Sequence, residues 1–327
     1  MNHGLEWLAT HQNADGSWSL NNFHANCQGK HANCSGAGKV KSNTAATGLA
    51  LLPLLAAGNT HQAGQYQKQV AAAITWFRSI QKDNGDLLAG GDAQHIYSHS
   101  IAAIALCEVY GMTNDPELKP VVEKALDFVV KAQHAGTGGW RYKPNQPGDT
   151  SVVGWAMMAL KSGEMAGIAS PQPTINNVAK WLASVEANKP TGGLFGYTNP
   201  NATPAMTAEG LLCLQFMGSS RNDPRMRAGA DYLLNHLPKP DQGKTSYYWY
   251  YGTQVMYHMQ GQYWVAWNEK LRDHLVATQI KDGSLAGTWN VVDSREQTGG
   301  RLYATALKLL MLEVYYRHLP LYEQLED

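Results

Sequence analysis

The sequence has no excess of charge of either sign and no long apolar run. Its 327 residues include 26 Lys plus Arg and 26 Asp plus Glu, and no basic cluster interleaves with aromatic residues. Because proteins bind phosphate backbones through such basic surfaces, we expect no nucleic-acid partner. The longest apolar stretch, residues 49–57, is far shorter than the roughly 20 residues that cross a bilayer. The sequence therefore predicts no transmembrane segment.

Recognisable cofactor and targeting motifs are also missing. No glycine-rich segment follows a strand pattern, as a nucleotide site would require, so we expect no cofactor. No secretory leader opens the chain, and a helical pattern begins almost directly after Met1, as though an upstream part were cut away. We expect one domain over residues 1–327, excised from a longer protein. The localisation is unknown from the sequence.

A degenerate repeat of about 50 residues runs through the chain. Six segments share an aromatic residue or His, then an aliphatic residue or Phe, often a Gln five positions after the first, and a Gly-rich turn. The copies contain Gln12, Gly16 and Trp18; Gln81 and Gly85; Gln133, Gly139 and Trp140; Trp181 and Gly193; Tyr232 and Gly243; and His274, Gln279 and Gly283. Each turn is followed by a second helical pattern, predicted at residues 43–57, 98–110, 150–161, 204–216, 248–259 and 302–316.

The two helices of each repeat differ in charge. The first is amphipathic, with charged residues among the apolar ones, and the second is nearly uncharged, so we place the first outside and the second inside. A lone helix pair cannot bury both of its faces, so neighbouring pairs must stack, and six pairs can close into a ring. The sequence therefore predicts an all-α fold, an (α/α)6 toroid of six helical hairpins.

The Gln, Gly and Trp of the repeat resemble the QW motif of squalene-hopene and oxidosqualene cyclases, in which Gln holds the turn and Trp packs behind it. The resemblance spans nearly the whole chain. It implies the toroid that these cyclases share with protein prenyltransferase β-subunits, and a central cavity for a large apolar, isoprenoid-like ligand. If the protein is an enzyme, the resemblance implies a terpene cyclase- or mutase-like isomerase or lyase.

The catalytic motifs of these families are not intact. The Asp-x-Asp-Asp-Thr stretch that supplies the proton in squalene cyclases resembles residues 146–150, where only Asp149 and Thr150 match and Gly148 stands at the proton-donor position. The prenyltransferase zinc ligand His is missing from residues 301–305, and no thioester motif of the complement type occurs. The sequence argues against ordinary squalene cyclisation.

Two carboxylates are candidate catalytic acids. Asp149 begins an inner helix, where capping is the commoner role and is expected to lower the carboxyl pKa. Glu209 lies in an otherwise apolar inner helix, where a charge is costly unless it faces a wet cavity or a partner. Together with Asp92, these residues could also supply the paired carboxylates of a glycosidase.

Aromatic and polar residues of the inner helices are candidates for a cavity wall. The tyrosines of residues 247–257 share a helical face, which could hold an isoprenoid chain or a sugar ring, or simply pack between repeats. Histidines at the second inner helix could form a polar rim, or only hydrogen-bond at the helix start. The candidates are Asp92, His95, Tyr97, His99, Trp155, Tyr247, Tyr250, Tyr251, Tyr257 and Tyr303.

A duplicated His-Ala-Asn-Cys tetrapeptide lies in the polar loop before the first inner helix. It supplies His24, Cys27, His31 and Cys34, a set of ligands that zinc accepts. The short Cys-x-x-Cys spacing is missing, however, and loop cysteines seven residues apart can form a disulfide in an oxidising compartment. The residues favour a disulfide between Cys27 and Cys34 first, free thiols second and a metal site third.

Three functions remain open from the sequence. The main hypothesis is binding or transformation of a large apolar ligand in an aromatic central cavity. The alternatives are a non-catalytic domain that recognises a protein or a glycan, and a carbohydrate-active enzyme. The expected partners are accordingly a lipid-like or glycan ligand, together with other domains of a longer chain.

Overall fold

The computed structural model describes residues 1–90, 92–187, 189–239 and 246–317. Within these ranges, each repeat contributes one outer and one inner helix. The outer helices are α1 (Asn2–Thr10), α3 (Gln67–Ile80), α5 (Lys119–Lys131), α7 (Gln172–Val185), α9 (Pro224–Leu234) and α11 (Gly261–Thr278). The inner helices are α2 (Asn43–Ala56), α4 (His95–Thr113), α6 (Thr150–Met165), α8 (Pro204–Phe216), α10 (Ser246–Met259) and α12 (Ser294–Leu312), and a short α13 (Val314–Arg317) follows.

The inner helices form a closed ring. Each packs against the next in chain order, and α12 packs against α2, so the predicted (α/α)6 toroid is confirmed. Inner helices are buried on nearly all sides, whereas outer helices expose charged residues such as Arg78, Lys131 and Lys180. This division follows from the sequence, because a helix that is apolar all round is stable only when it is surrounded.

The repeated Gln, Gly and Trp residues join neighbouring hairpins. The Gln12 side-chain amide donates to the carbonyl of Gly16 at 2.8 Å and to that of Gln69, on the next outer helix, at 2.9 Å. The Trp18 indole N–H donates to the carbonyl of Leu8 at 2.7 Å. Gly16 has φ of 92°, and a Cβ atom there would lie 2.3 Å from a carbonyl of α3. Only glycine therefore fits this joint.

Later repeats use the same joint with small changes in register. The side-chain amide of Gln81 donates to the carbonyl of Val121, and that of Gln279 donates to the carbonyl of Gly287. The Gln133 amide donates to the carbonyls of Gly138 and Thr174. The glycines with positive φ that press against the neighbouring outer helix are Gly85, Gly138, Gly193 and Gly287. Within the predicted turns, the glycine at the joint is therefore Gly138 rather than Gly139 and Gly287 rather than Gly283, and Gly243 lies outside the described residues.

Three inner helices begin earlier than the sequence predicts, at His95, Ser246 and Ser294. The last of them is interrupted at Gly300, where residues 36–39 cross its first turns and exchange backbone hydrogen bonds with residues 298–301. This crossing joins the first repeat to the last one.

Two short strands that the sequence does not predict, β1 (Glu186–Ala187) and β2 (Leu194–Phe195), pair antiparallel ahead of α8. They lie beside the ring rather than within it. Among the described residues, no helix is both long and apolar enough to cross a membrane.

Candidate functional site in the centre of the ring

A cavity of about 360 Å³ lies where the N-terminal ends of the inner helices converge, at the small end of the ~300–1,000 Å³ range of ligand sites. Its apolar lining includes Leu49, Ile101 and Trp155. Its polar lining consists of Gln94, Tyr97, Ser98, Tyr142, Ser151, Tyr197, Tyr247, Arg295, Thr298 and Tyr303. The structure thus places four of the predicted residues, Tyr97, Trp155, Tyr247 and Tyr303, in the wall.

Glu209 lies directly behind this wall and is fully buried. The Tyr247 hydroxyl donates to its Oε2 atom at 3.1 Å, while Oε1 has no hydrogen-bond partner among the described atoms. Burial raises the pKa of Glu209 well above its usual value, and it outweighs the Tyr247 hydrogen bond and the positive charge of Arg295, which lower it. The environment therefore favours the protonated, neutral carboxyl.

Gly154 on α6 makes the space for this carboxyl. A Cβ atom at this position would lie 2.8 Å from Glu209 Oε2 and 3.1 Å from the Tyr251 hydroxyl. Both distances are shorter than normal van der Waals separations. The acid on α8 and the tyrosines on α10 can therefore meet here only because α6 has no side chain at residue 154.

Tyr247 connects the buried acid to the cavity. Its hydroxyl lies 3.2 Å from the Tyr97 hydroxyl and 3.2 Å from the carbonyl of Ser151. Burial raises the pKa of both tyrosines well above the usual value, so both remain neutral donors. A proton can therefore move between Glu209 and the cavity through one hydroxyl.

Asp149 caps α6, as predicted. Its Oδ1 atom accepts hydrogen bonds from the Val152 N–H at 3.0 Å and from the Ser151 hydroxyl at 2.6 Å. The predicted lowering of its pKa is wrong: burial is the largest effect and raises the pKa against these hydrogen bonds and the charge of Arg141. Because Ser151 also bonds Tyr247, both buried carboxyls belong to one polar network.

Among the described residues, neither a carboxylate nor a histidine lines the cavity itself. Asp92, a predicted wall residue, lies behind it and accepts hydrogen bonds from the Gln94 N–H and the Ser98 hydroxyl. Asp149 and Glu209 are likewise separated from the cavity by other side chains. Polar contact with a ligand therefore falls to the tyrosine hydroxyls, to Arg295 and to the uncharged Gln94, Ser98, Ser151 and Thr298.

Three polar wall residues are not singled out by the sequence. The hydroxyls of Tyr142 and Tyr197 lie 2.7 Å apart, and the Tyr142 ring stacks on Tyr97 with centroids 6.1 Å apart. The guanidinium of Arg295 lies 4.6 Å from the ring centroid of Tyr247. They extend the aromatic wall and add one cation to it.

The repeat register carries a signal for two of these residues. Tyr142 follows the turn aromatic Trp140 by two positions, and Tyr197 follows Phe195 by two. Leu20, which also lines the cavity, has the same relation to Trp18. In three repeats, therefore, the second residue after the turn aromatic lines the cavity.

The histidines of α4 lie outside the cavity wall, contrary to the predicted polar rim. The His95 Nε2 atom pairs with Asp86 Oδ1 at 2.7 Å. His99 is buried, accepts from the Leu87 N–H at 3.2 Å, and donates to the Ala125 carbonyl at 2.9 Å. Burial lowers the pKa of His99 to about 4. Both histidines are helix-start hydrogen-bonding residues, the alternative that the sequence left open.

The remaining tyrosines of α10 are also placed elsewhere. Tyr250 and Tyr251 fill the core below the cavity, with ring centroids 5.5 and 5.7 Å from that of Trp155. Tyr257 lies at the far end of α10 and packs on Trp264 at 5.2 Å. A helix rises about 1.5 Å per residue, so one shared face cannot bring residues ten positions apart to the same small cavity.

Cys27 and Cys34 are free thiols in the structure, so the disulfide favoured by the sequence is not formed. Their sulfurs lie beside His11, and the three candidate ligand atoms are all within 4.8 Å of one another. His24, part of the predicted metal set, is exposed. The sequence gives no local signal for His11, because it belongs to the end of α1, outside the duplicated tetrapeptides.

Comparison with known proteins supports the fold more than any single activity. The model of a domain of unknown function, DUF6288, matches residues 10–170. A search of curated proteins finds no match.

Solved structures of sugar-active proteins share the toroid. The α-1,6-mannanase GH76A from Salegentibacter sp. HEL1_6 is 14% identical over 95% of this chain and 97% of that one, with a TM-score of 0.63. The cellobiose 2-epimerase from Bacillus thermoamylovorans B4167 is 12% identical over 96% of each chain, with a TM-score of 0.65.

A terpene cyclase also shares the toroid, with a TM-score close to those of the sugar-active proteins. A variant of the type II terpene cyclase MstE from Scytonema is 12% identical over 97% of this chain and 96% of that one, with a TM-score of 0.60. At such identities the likenesses show the α/α toroid alone, and the narrower resemblance to squalene cyclases is not established by them.

Proposed function

We propose that the protein is carbohydrate-active and binds a sugar ring of a glycan in the central cavity. The observation that carries the proposal is the buried Glu209 carboxyl, which the Tyr247 hydroxyl joins to the cavity and whose pKa burial raises. In this proposal Tyr97 and Tyr247 contact the sugar. Tyr247 gives a proton to a sugar oxygen and takes one from Glu209, so no charge is left on the tyrosine.

The composition of the wall suits a sugar better than an isoprenoid. Sugar rings have one apolar face and a rim of hydroxyls, and they bind where an aromatic surface stands beside hydrogen-bonding groups. This wall combines the indole of Trp155 with the hydroxyls of Tyr97, Tyr142 and Tyr247. A thirty-carbon chain would make no hydrogen bond to those hydroxyls or to Arg295 and would keep water from them, which is costly.

The acid itself also separates the two hypotheses. A carboxyl with a raised pKa keeps its proton near neutral pH and gives it to a basic atom such as a sugar oxygen. An unactivated alkene requires a much stronger acid, and Gly148 stands where the cyclase donor would be. The terpenoid hypothesis is therefore less well supported.

The sugar-active structures that share the toroid support this choice. They include a mannanase whose variant with two adjacent aspartates replaced is described as inactive and holds α-1,6-mannotriose, and also an epimerase of cellobiose. This chain has no two adjacent aspartates. We therefore adopt from these structures only the class of ligand, a sugar. Glu209 is identified as the acid from the geometry of this chain alone.

The test measures binding and conversion of manno- and gluco-oligosaccharides of two to four units, by calorimetry and by chromatography of the products. Tyr247→Phe and Glu209→Gln are expected to lower the rate of conversion by about 10²–10⁴-fold. Tyr247→Phe should weaken binding by at most about tenfold, since it loses one hydrogen bond.

Tyr263→Phe is the matched control. Its hydroxyl donates to the carboxylate of Asp231, between two outer helices and away from the central cavity, so conversion should stay at the wild-type rate. Binding without conversion by the wild type would indicate the recognition domain instead. Binding of a polyprenyl lipid but of no sugar would contradict the proposal altogether.

A further inference from the structure

A cluster of metal-ligand side chains lies at the junction of the first and last repeats. The His11 Nε2, Cys27 Sγ and Cys34 Sγ atoms are all within 4.8 Å of one another, and His11 Nε2 is 3.4 Å from Cys27 Sγ. In a tetrahedral zinc site with Zn–S near ~2.3 Å and Zn–N near ~2.1 Å, neighbouring ligand atoms lie about 3.5–3.8 Å apart. The cluster is therefore close to the spacing that zinc requires.

The His11 ring is oriented as a metal ligand would be. Its Nδ1 atom lies 2.6 Å from the carbonyl of Trp7, to which it donates, so Nε2 keeps its lone pair and faces the sulfur of Cys27. In metal sites, a ligand histidine usually donates its other N–H to a carbonyl in this way. The tautomer that this carbonyl imposes is the one that can bind a cation.

His31 provides an independent second observation. It is 2% exposed, its Nδ1 atom donates to the carbonyl of Ser284 at 2.9 Å, and its Nε2 atom is buried without a hydrogen-bond partner. Its ring centroid lies 6.0 Å from that of His11. An orphaned buried nitrogen is costly, and a metal held by the neighbouring cluster would give it a partner.

A further buried donor lies beside the cluster. The indole N–H of Trp7 is buried, makes no regular hydrogen bond and interacts only with the side chain of Cys34. A thiolate held by a metal would accept this N–H well, whereas a neutral thiol is only a weak acceptor. One imidazole nitrogen without a partner and one weakly bound indole N–H thus adjoin the same cluster.

We propose that His11, Cys27, His31 and Cys34 bind one structural zinc ion. Two thiolates and two neutral imidazoles are a donor set typical of closed, four-coordinate zinc sites. The cation displaces the two thiol protons to solvent, and no oxidation is involved. It would fasten the loop after α1 to the connection between α11 and α12, where the toroid closes on itself.

The experiment uses the full chain, purified under reducing conditions, incubated with zinc and desalted. Elemental analysis should give about one zinc per chain, and cobalt substitution should produce the sulfur-to-cobalt charge-transfer absorption. The double variant Cys27→Ser/Cys34→Ser should lose both signals, and His31→Ala should weaken zinc binding. His24→Ala is the matched control, because the exposed His24 comes from the other copy of the same tetrapeptide, and it should keep its zinc.

Since a folding defect in the serine variant would also remove zinc, the wild-type chain gives a second measurement. Extraction with a chelator should lower Tm and increase amide exchange in residues 22–40 and 284–301, while residues 98–113 change little, and added zinc should reverse both effects. Absence of bound zinc would overturn the proposal. So would only two titratable thiols in the unreduced, denatured chain, or zinc retained by the serine variant.

Discussion

At the scale of single residues, burial decides the chemistry of the two candidate acids. Glu209 and Asp149 both have hydrogen bonds that stabilise a carboxylate, yet the pKa of each is raised because burial removes water from the carboxyl group. Capping alone would have lowered the pKa of Asp149. A local motif therefore predicts where a carboxylate lies but not how readily it loses its proton.

A pH titration of stability should reveal this raised pKa. In the unfolded chain the pKa of Glu209 is near the ordinary glutamate value of 4.5, and in the folded chain it is higher. Above pH 4.5 the unfolded chain releases this proton while the folded chain retains it, so the free energy of unfolding falls as the pH rises toward the folded pKa. The contribution is fully present below the unfolded pKa.

The Glu209→Gln variant isolates this effect, because its amide does not titrate. We expect the Tm of the variant minus that of the wild type to increase as pH rises above about 4.5, measured by thermal unfolding in buffers of equal ionic strength. A difference that is independent of pH between 4.5 and 8 would show that the two states protonate Glu209 alike. A difference that decreases would reverse the sign of the pKa shift.

At the scale of helices, the inner ring depends on close approach at a few positions. Gly154 lets α6 approach the side chains of α8 and α10, and it is the reason the acid network can form. A glycine within a helix costs roughly 0.5–1 kcal/mol relative to alanine. Glycine is nevertheless needed at residue 154, because a methyl group there would lie too close to the Glu209 carboxyl.

Gly154→Ala should therefore destabilise the protein despite the better helix propensity of alanine. We expect a loss of about 1–3 kcal/mol in the free energy of unfolding from overpacking, together with loss of sugar conversion, because Glu209 and Tyr251 must move. Urea unfolding and the oligosaccharide assay measure the two effects.

Gly111→Ala is the matched control on another inner helix. A Cβ atom at residue 111 would lie 3.3 Å from the Ala166 Cβ atom, a much milder contact. It should change stability by less than about 1 kcal/mol. If both variants behaved alike, the space at residue 154 would not be reserved for the acid network.

At the scale of the whole molecule, the ring closes through the same joint that connects its internal repeats. Gly287 of the last repeat has φ of 89°, and a Cβ atom there would lie 2.3 Å from the backbone of His3 on α1. The Gln279 amide holds this turn through the Gly287 carbonyl at 2.8 Å. The first and last hairpins thus contact each other as neighbours do elsewhere in the ring.

Gly287→Ala tests this closure, with Gly283→Ala as its control. Gly283 also has a positive φ, 75°, but nothing lies within 4 Å of the position of its Cβ atom. Both variants place an alanine in the left-handed region of backbone conformation, which costs about 1–2 kcal/mol. Only Gly287→Ala must also displace α1.

We expect Gly287→Ala to cost about 1–3 kcal/mol more than the control, in denaturant unfolding, and to increase amide exchange in α1 and in the first turns of α12. Equal stabilities of the two variants would mean that the ends of the ring do not depend on this joint.

The sequence by itself determined the repeat, the assignment of outer and inner helices, the Gln and Trp joints and the cap at Asp149. These features depend on residues close in the chain or on a periodic pattern of charge, and both are visible without coordinates. The burial of Glu209 also follows from its apolar neighbours along α8.

The tertiary structure alone decided which side chains meet in the centre. An inner helix is apolar on all sides, so its periodicity does not show which face points to the cavity, and Tyr97 faces it while His99 does not. Likewise His11 lies beside Cys27 only because the chain folds back after α1. Contacts between residues distant in the chain are fixed by ring closure, and no local spacing encodes them.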